Sequence, residues 1–497
     1  MRKLVFLSFL IFISTQLYAQ YISDIYIQSD VNLGTGKVSP FWFNVNQHGL
    51  GSIHPNSAYL RAGIDKKIDS SKRFDFGYGL DLVGGYNLDA NVIVQQAYAD
   101  IKYRSLFLSI GSKERHGLFR NPLLSTGGTL ISGNARPIPQ IRVGFYDWVQ
   151  PFKNANWFKL KGDFSYGWFT DNRFRRDFID KQDGVYVKNI LYHHKYIAFQ
   201  FGNEDTRFKV EAAYEIDQQF GGNHYTYKEG ELTQVVNIPS SFKDYLRAFL
   251  PLPGNDDDFV YNQLYYQGNY VGEWQVNLHY KINNDHKLIL GFEKFWEDAS
   301  GMSFQNRLDG LWSLEYKRSE PALISGALFE YFQSTDQTGP IYWLPSYDGQ
   351  ETNIKHEANG KDNYYNHLIY QSWSHFGRNL GNPLIPSPVI IDGKILNTNC
   401  NRIKSCNISL NGFLSKKWSH RIALTYMKGW GTYDTPFIKA KNNISGLLEM
   451  IYSPLKIKTL QFRACVGFDF GDIYGGDTFG VQIGVKYNLF RSVNGQK

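Results

Sequence analysis

The sequence is poor in cysteine and has no long apolar run beyond its first residues. Three cysteines among 497 residues are too few for a scaffold held together by disulfides. Cys400 and Cys406 lie six positions apart and could pair in an oxidising compartment or stay reduced, whereas Cys465 is expected to be a free thiol facing the interior. No segment after Ile13 approaches the ~20 apolar residues of a transmembrane helix, which excludes a helical membrane protein.

The signatures of common enzyme and metal sites are also absent. There is no G-x-S-x-G nucleophile elbow, and Gly34-Thr-Gly36-Lys37 lacks the spacing of a phosphate-binding loop. Asp256-Asp-Asp258 lacks the alternating ligands and central glycine of a calcium loop. His193 and His194 are adjacent on a predicted strand, so they face opposite sides and cannot chelate one metal. We therefore predict no catalytic site, no cofactor and no metal site.

The N-terminus has the pattern of a secretory signal peptide over residues 1–19. Arg2 and Lys3 precede the apolar stretch 4–13, and Leu17-Tyr-Ala19 supplies the small-residue cleavage end. An exported chain without a spanning helix is periplasmic, secreted or a membrane β-barrel. Residues 20–497 contain no internal repeat or low-complexity linker, so we predict one domain there.

Aromatic residues and glycine are abundant, which favours the barrel. The chain has 36 Phe, 34 Tyr, 11 Trp and 46 Gly, a composition that suits aromatic girdles and a lumen lined by small residues. The stretch 479–489 alternates strictly between apolar residues and polar or small ones, as a strand with one lipid-facing side requires. Gln482-x-Gly484-x-x-Tyr487-x-Leu489 also resembles the C-terminal signal for barrel insertion.

Similar alternation along the chain predicts about 18 antiparallel strands, an even number as a bacterial barrel requires. The predicted spans are 41–48, 58–67, 74–83, 91–102, 105–111, 138–149, 157–169, 190–202, 207–216, 271–282, 286–296, 310–317, 323–333, 407–414, 419–428, 444–452, 459–470 and 479–489. Short connections alternate with long ones, of which 334–406 is the longest. We expect an outer-membrane barrel whose long loops are extracellular.

One loop segment has helical rather than strand periodicity. Phe242, Tyr245, Leu246 and Phe249 recur at helical spacing, Ser240 or Ser241 can cap the start, and Pro251 stops the end. Such a helix would either pack on its own loop or form part of a plug in the pore.

The predicted loops are rich in aromatic and basic residues. Flat rings pack on the C–H faces of sugars, while amides and guanidinium groups bind hydroxyl and carboxylate groups. The same rings could instead hold the loops together. The candidate polysaccharide-binding residues in the loops are Trp343, Tyr365, Trp373, His375 and Arg378 in the longest loop and Trp430 and Tyr433 in a second, with further basic residues Arg173, Arg175 and Arg176 in a third.

Five separated stretches form a composite motif, at 111–114, 125–139, 262–272, 338–343 and 363–384. They include Ser125-Thr-Gly-Gly-Thr-Leu-Ile-Ser-Gly-Asn134-Ala-Arg136-Pro137-Ile-Pro139 and Gly377-Arg378-Asn-Leu-Gly381-Asn382-Pro383. Together they resemble the Wzi family of capsule-assembly proteins. This resemblance implies an outer-membrane barrel, plugged by helical structure, that acts as a lectin for capsular polysaccharide. Arg136 and Arg378 could bind a sugar acid or pin their loops inside the lumen.

The sequence therefore predicts an all-β outer-membrane barrel that binds capsular or other surface polysaccharide and helps to attach or assemble it at the cell surface. Its expected partners are polysaccharide and outer-membrane lipid, with no nucleic acid, and it is expected to be a monomer. A porin-like channel is the alternative function, and an outer-membrane hydrolase acting on lipid or glycan is a third.

Overall fold

Eighteen antiparallel strands close into a barrel in the computed structural model, which describes residues 23–250, 252, 268–297, 299–337, 342–343, 357–358, 362–390 and 396–490. The predicted signal peptide lies outside these residues. The barrel strands are β1 Asp24–Gly34, β2 Ser57–Lys66, β3 Phe74–Tyr86, β4 Val92–Tyr103, β5 Leu106–Ser112, β6 Gln140–Phe145, β7 Phe158–Trp168, β8 Leu191–Phe201, β9 Phe208–Phe220, β10 Asn269–Lys281, β11 His286–Trp296, β12 Gly310–Arg318, β13 Gly326–Gln333, β14 Ile403–Ser415, β15 Trp418–Gly431, β16 Pro436–Tyr452, β17 Leu460–Gly471 and β18 Thr478–Phe490.

The barrel closes where the first strand meets the last. β1 pairs antiparallel with β18, with Asp30 opposite Gly484 and Val31 opposite Ile483. The predicted barrel and its strand number are confirmed, but the predicted first strand at 41–48 is wrong. Phe41–Asn44 forms a short buried helix, α1, because three consecutive bulky apolar residues there lie inside the molecule.

The outer wall of the barrel is apolar, as strand alternation predicts. On β18, Phe479, Ile483 and Tyr487 are exposed, whereas Gln482 and Gly484 are buried toward the lumen. Exposed Ile, Leu, Val and Phe side chains recur on the same side of the other barrel strands. This band matches the lipid-facing surface of an outer-membrane barrel. Among the described residues, no helix is long and apolar enough to cross a membrane.

The connections alternate between the two ends of the barrel. At one end they are short, as at 104–105, 282–285 and 416–417, and at the other end lie 35–56, 113–139, 221–268 and 334–402. The predicted long connection 429–443 is reduced to 432–435, because β15 and β16 extend into it. Trp430 consequently lies on a strand and not in a loop.

Several long connections fold back into the lumen and form a plug, defined here as residues 35–56, 113–139, 362–390 and 396–402. Phe43, Leu130 and Trp373 of the plug share one core with inward-facing strand residues such as Phe295 and Met427. Apart from α1 and a 3₁₀ turn at Pro388–Ile390, the described plug consists of irregular chain and two-residue strand pairs, at Asn366–His367 with Gln371–Ser372 and Ser374–His375 with Arg378–Asn379. The plug suggested by the family resemblance is therefore present, but it is mostly not helical.

Other connections form structure outside the lumen. They contain helix α2 Asn172–Phe178, a sheet of Val185–Lys188, Gly222–Lys228 and Glu231–Ile238, helix α3 Phe242–Phe249 and helix α4 Ala299–Met302. The predicted helix near 240–250 is confirmed as α3. It belongs neither to the plug nor only to its own loop, because Tyr245 and Phe249 pack on the outward-facing rings of Tyr166 and Phe164 of β7.

Candidate functional site

The plug is attached to the inner wall by three buried glutamates. The backbone N–H of Thr126 donates to Glu330 of β13 (2.8 Å), that of Thr129 to Glu293 of β11 (2.8 Å), and that of Leu130 to Glu273 of β10 (3.1 Å). All three carboxylates are buried. A buried carboxylate requires such donors, so these contacts fix the plug segment against one side of the wall.

The two longest described motif stretches contact each other in this plug. Ser132 donates from its backbone N–H to Leu380 O (2.7 Å), and the Asn382 side chain donates to Gly127 O (2.7 Å). Trp373 Nε1–H donates to Leu130 O at 2.9 Å, and the Tyr365 hydroxyl donates to Thr129 O. The motif at 125–139 and the motif at 363–384 therefore form one folded unit.

This arrangement corrects the expected position of most candidate sugar contacts. Tyr365, Trp373, His375 and Arg378 are at most 2% exposed, and Arg136 is 8% exposed. They lie together inside the plug and not in solvent-facing loops, because their rings and polar groups are used by neighbouring plug chain. In this closed form their role is to pack the plug.

Arg136 and Arg378 lie next to the same carboxylate. Arg136 Nη2 is 3.5 Å and Arg378 Nε is 3.8 Å from Asp89 Oδ2. Arg378 also donates to Asn44 Oδ1 (2.6 Å) and to Gly51 O, while the Arg136 guanidinium lies 4.3 Å from the ring centroid of Phe376. Burial lowers the pKa of both guanidinium groups, and the Asp89 charge opposes that shift. Of the two readings left open for these arginines, the contacts support pinning of the loops.

His375 links three parts of the interior. The backbone N–H of Thr170 donates to His375 Nε2 (3.2 Å), which leaves Nδ1 as the protonated nitrogen that donates to Arg136 O (2.9 Å). Burial lowers the pKa of His375, while Asp171 and the bond to Arg136 O oppose that shift. A neutral imidazole with both nitrogens used is a structural contact.

The remaining candidates lie at the rim of the barrel. Tyr433 is half-buried, donates from its hydroxyl to Thr335 O (2.8 Å) and stacks beneath the Arg402 guanidinium at 4.2 Å. Trp430 is half-buried beside Lys428. The side chain of Trp343 lies outside the described residues.

A second aromatic and basic group lies on the sheet and helix α2 outside the lumen. The rings of Tyr186 and Tyr225 stack with centroids 4.9 Å apart, and Lys188 Nζ lies 4.7 Å from the Tyr225 centroid. Helix α2 packs against Val185–Lys188, and its Arg173 and Arg176 side chains, which both pair with Asp177, are 90% and 42% exposed. Arg175 instead points inward and donates to Ser374 O (2.8 Å). Of the three basic residues predicted in this loop, two face solvent and one holds the plug.

A cavity of about 110 Å³ lies in the lumen beneath the plug. Most of its titratable lining is basic, and burial lowers the pKa of Arg115 to about 10 and that of His48 to about 4. The titratable residues of its lining are His48, Lys113, Arg115, His116, Arg136, Arg142, Tyr192, His194, Tyr196 and Glu215. The volume is enough for a few water molecules or a small anion.

A group of possible metal ligands borders this cavity. One donor atom each from His194, Glu215 and Asp217 lies within 4.8 Å of the others. His194 Nδ1 is 2.9 Å from Asp217 Oδ1, and Arg142 Nη2 is 2.8 Å from His194 Nε2. Because the Arg142 guanidinium already provides positive charge here, the group is better described as an ion-pair network. His193, as predicted, faces the opposite side and packs on Phe249.

The cysteines are free thiols. Cys406 faces outward on β14 and is exposed, whereas Cys400 is buried, so the two do not pair. Cys465 is buried with its Sγ 3.7 Å from Glu449 Oε2, which confirms the prediction of an inward-facing free thiol.

Sequence reasoning missed the three anchoring glutamates. Each occupies an inward position on a strand and has at least one bulky apolar outward neighbour, such as Trp274 beside Glu273 and Phe329 beside Glu330. An acidic residue at an inward strand position was the available signal, but it does not reveal which loop reaches it.

No family model matches the sequence. No curated protein matches it either. Among solved structures, the barrel is similar to Wzi, an outer-membrane protein involved in group 1 capsule assembly in Escherichia coli and described as a carbohydrate-binding beta-barrel. The TM-score is 0.55 at 12% identity, over 96% of this chain and 87% of that one.

OprD of Pseudomonas aeruginosa aligns with a TM-score of 0.43 at 11% identity, over 95% and 96% of the chains, and OccAB2 of Acinetobacter baumannii with 0.45 at 10% identity, over 95% and 98%. The chain thus has the fold of an outer-membrane β-barrel.

Proposed function

We propose that this chain is a Wzi-like protein of the outer membrane that binds capsular or other surface polysaccharide and helps to attach or assemble it at the cell surface. It does so as a monomer and without covalent chemistry. The observation that carries the proposal is the plug, whose rings and polar groups fill the lumen at the long-loop end. A barrel closed by its own loops suits retention of a large molecule at the surface better than passage of a small one.

The resemblance of the motifs and the shared fold with the carbohydrate-binding Wzi barrel support this proposal. The polysaccharide contacts lie on the exposed aromatic and basic groups, since the buried candidates are used within the plug. Arg173 and Arg176 on helix α2, which packs against Val185–Lys188, form one such surface, and the rim residues Tyr433 and Trp430 supply the other contacts. Rings and guanidinium groups in this arrangement suit glycans that carry acidic groups.

The test is surface-polysaccharide retention in a deletion strain complemented with variants. We expect the deletion to release polysaccharide into the medium and the wild-type gene to restore retention. Arg173→Ala/Arg176→Ala and Trp430→Ala/Tyr433→Ala should each restore less, while Arg104→Ala, at an exposed turn of the opposite end, should restore fully. Full retention in the deletion strain would refute the proposal.

A porin-like channel is the second candidate, and the basic cavity beneath the plug favours it. If only segment 362–390 moved, the basic residues of 113–139 would remain and this cavity would become an anion-selective part of a pore. Planar-bilayer recordings separate the two functions. We expect the wild-type protein to show no steady open-channel current, and a sustained anion-selective current would favour the channel.

A further inference from the structure

Helix α3 exposes its apolar face and buries the opposite face. Phe242, Leu246, Phe249 and Leu250 lie on one face, and they are 78%, 48%, 38% and 53% exposed. The opposite face contains Asp244 and Ala248, which are 2% and 0% exposed. A helix on the surface of a water-soluble protein has the reverse arrangement, with its apolar face buried and its polar face exposed.

Helix α3 covers polar groups on the outer wall of the barrel. His193 and Lys195 face outward from β8, and the Lys195 amino group donates to Ala248 O (3.4 Å) and Phe249 O at the end of the helix. The Tyr166 hydroxyl of β7 donates to Tyr245 O at 2.7 Å. Backbone carbonyl groups of α3 therefore satisfy polar groups of the wall, and the outer face of the helix is mostly apolar.

The position of α3 along the strands is defined by these contacts. The contacts involve residues two to four positions from the ends of β7 and β8 at which the long connections begin. At 3.3 Å per residue, the helix therefore lies roughly 10 Å along the strands from that end. Trp168, which is exposed on the outer wall, lies nearer to the end of β7 than the helix contacts do. The helix therefore lies at the height of the apolar band of the outer wall and not beyond the ends of the strands.

A second connection covers the neighbouring part of the wall in the same way. Lys294 and Trp296 face outward from β11 but are fully buried, and the Lys294 amino group donates to Arg307 O. Trp274 Nε1–H donates to Met302 O at 3.3 Å. The covering segment 299–309 in turn exposes Phe304 and Leu308, at 53% and 56%.

We propose that α3 and segment 299–309 form a collar that is embedded in the outer leaflet of the membrane and contacts lipid through Phe242, Leu246, Phe249, Leu250, Phe304 and Leu308. The collar extends the apolar band of the barrel, with the exposed polar side chains of Ser303 and Gln305 between its apolar ones. The exposed Lys243 and Arg307 border it, where they meet the phosphate groups of lipid heads. This inference depends on the proposed outer-membrane location and not on polysaccharide binding.

Nitroxide accessibility in phosphatidylcholine vesicles tests the collar. Single labels are placed at Phe242→Cys, Leu246→Cys, Phe249→Cys and Phe304→Cys of the full chain, in a background with Cys400→Ser, Cys406→Ser and Cys465→Ser. Collisions with oxygen, which partitions into lipid, are compared with collisions with a water-soluble nickel chelate. Ile408→Cys on the outer wall is the lipid control, and Glu231→Cys on the sheet outside the lumen is the water control.

We expect the collar positions to resemble position 408, with an oxygen-to-nickel ratio at least about tenfold above that of position 231. Nickel accessibility equal to that of position 231 would overturn the collar. Low accessibility to both reagents would also overturn it, because it would mean that protein and not lipid covers the face. If position 408 is itself in water, the proposed membrane location fails. Heat-modifiable migration of each labelled protein confirms that the barrel is folded.

Discussion

The connections that fold into the lumen differ from those that fold onto the outer wall. In the plug, polar chain meets polar wall: the backbone of 126–130 donates to Glu273, Glu293 and Glu330. On the outside, α3 turns the backbone carbonyl groups of its last turn to Lys195 and leaves Phe242 and Leu246 uncovered. Both kinds of connection satisfy buried polar groups of the wall, but only the outer kind presents an apolar surface to its surroundings.

The difference shows what decides the position of a long loop in this barrel. A strand supplies two walls of opposite polarity because its side chains alternate. A loop rich in turns and backbone donors is stabilised by the inner wall with its buried carboxylates. An amphipathic helix is stabilised by the outer wall, where its apolar side meets lipid. The inner contact can be broken without touching the outer one, and the reverse also holds.

The largest effect is expected from removal of the plug anchors. Glu273→Ala/Glu293→Ala/Glu330→Ala leaves several buried N–H groups without an acceptor, at about 1–3 kcal/mol for each orphaned group, and Arg120 without its ionic partner. We expect the plug to leave the lumen and a steady current to appear in planar bilayers. Glu320→Ala, at an exposed turn, should remain closed. A triple variant that stays closed would show that the aromatic core alone holds the plug.

The next effect is that of a fully buried tryptophan in the plug. Trp373→Ala removes a fully buried ring and the donor to Leu130 O, which costs about 3–5 kcal/mol. We expect faster hydrogen exchange in plug amides and intermittent current. Trp157→Ala, which removes a half-exposed ring at the short-turn end, is the matched control and should change neither. Unchanged exchange in the Trp373 variant would mean that the plug repacks around the cavity.

Acidification should weaken the plug. Burial lowers the pKa of His48 and of His367 to about 4, and it also lowers the pKa of His375. A histidine with a lowered pKa takes up its proton more readily when its surroundings open, so its stabilising effect is complete above about pH 6.5 and is lost toward pH 4. His48 and His367 can each contribute up to about 3 kcal/mol.

Hydrogen exchange measured in steps between about pH 7 and about pH 4, after correction for intrinsic rates, tests this expectation. Plug amides should lose protection as the pH falls, while amides at the centres of the barrel strands should keep theirs. His367→Asn, which retains an acceptor for the backbone N–H of Ile369, should reduce the pH dependence. Equal loss of protection in both regions would indicate unfolding of the barrel and not release of the plug.

The barrel was predictable from the sequence because alternation is a local property. The strand prediction was wrong at the first strand. There Ser29 interrupts the outward row of Ile25, Ile27 and Val31, and the continuous apolar run at Phe41 resembles a strand more closely. The helical spacing around Phe242 gave α3 correctly. It did not show which wall the helix covers, because that depends on Lys195, far away in sequence.

The candidate site was less predictable than the fold. Trp373, Arg378 and Trp430 were assigned to loops by residue type and connection length, and neither property reports whether a loop turns inward. The contacts that bury Trp373 and Arg378 come from residues more than 240 positions away, such as Leu130 and Asn44. Cys465 was placed correctly because strand alternation alone fixes its side.

The smallest expected effect concerns the outer contact by itself. Lys195→Met keeps the length of the side chain but removes the amino group that binds the last carbonyls of α3, a contribution of about 1 kcal/mol at a helix C-terminus. We expect amides near residues 245–249 to exchange about fivefold faster while plug amides are unchanged. Lys287→Met, which removes an exposed lysine of β11 at the short-turn end, should leave α3 unaffected. If α3 exchanges at the wild-type rate in the Lys195 variant, the apolar face and the rings of Tyr166 and Phe164 hold the helix without the charge, and contact with lipid becomes the larger part of its stability.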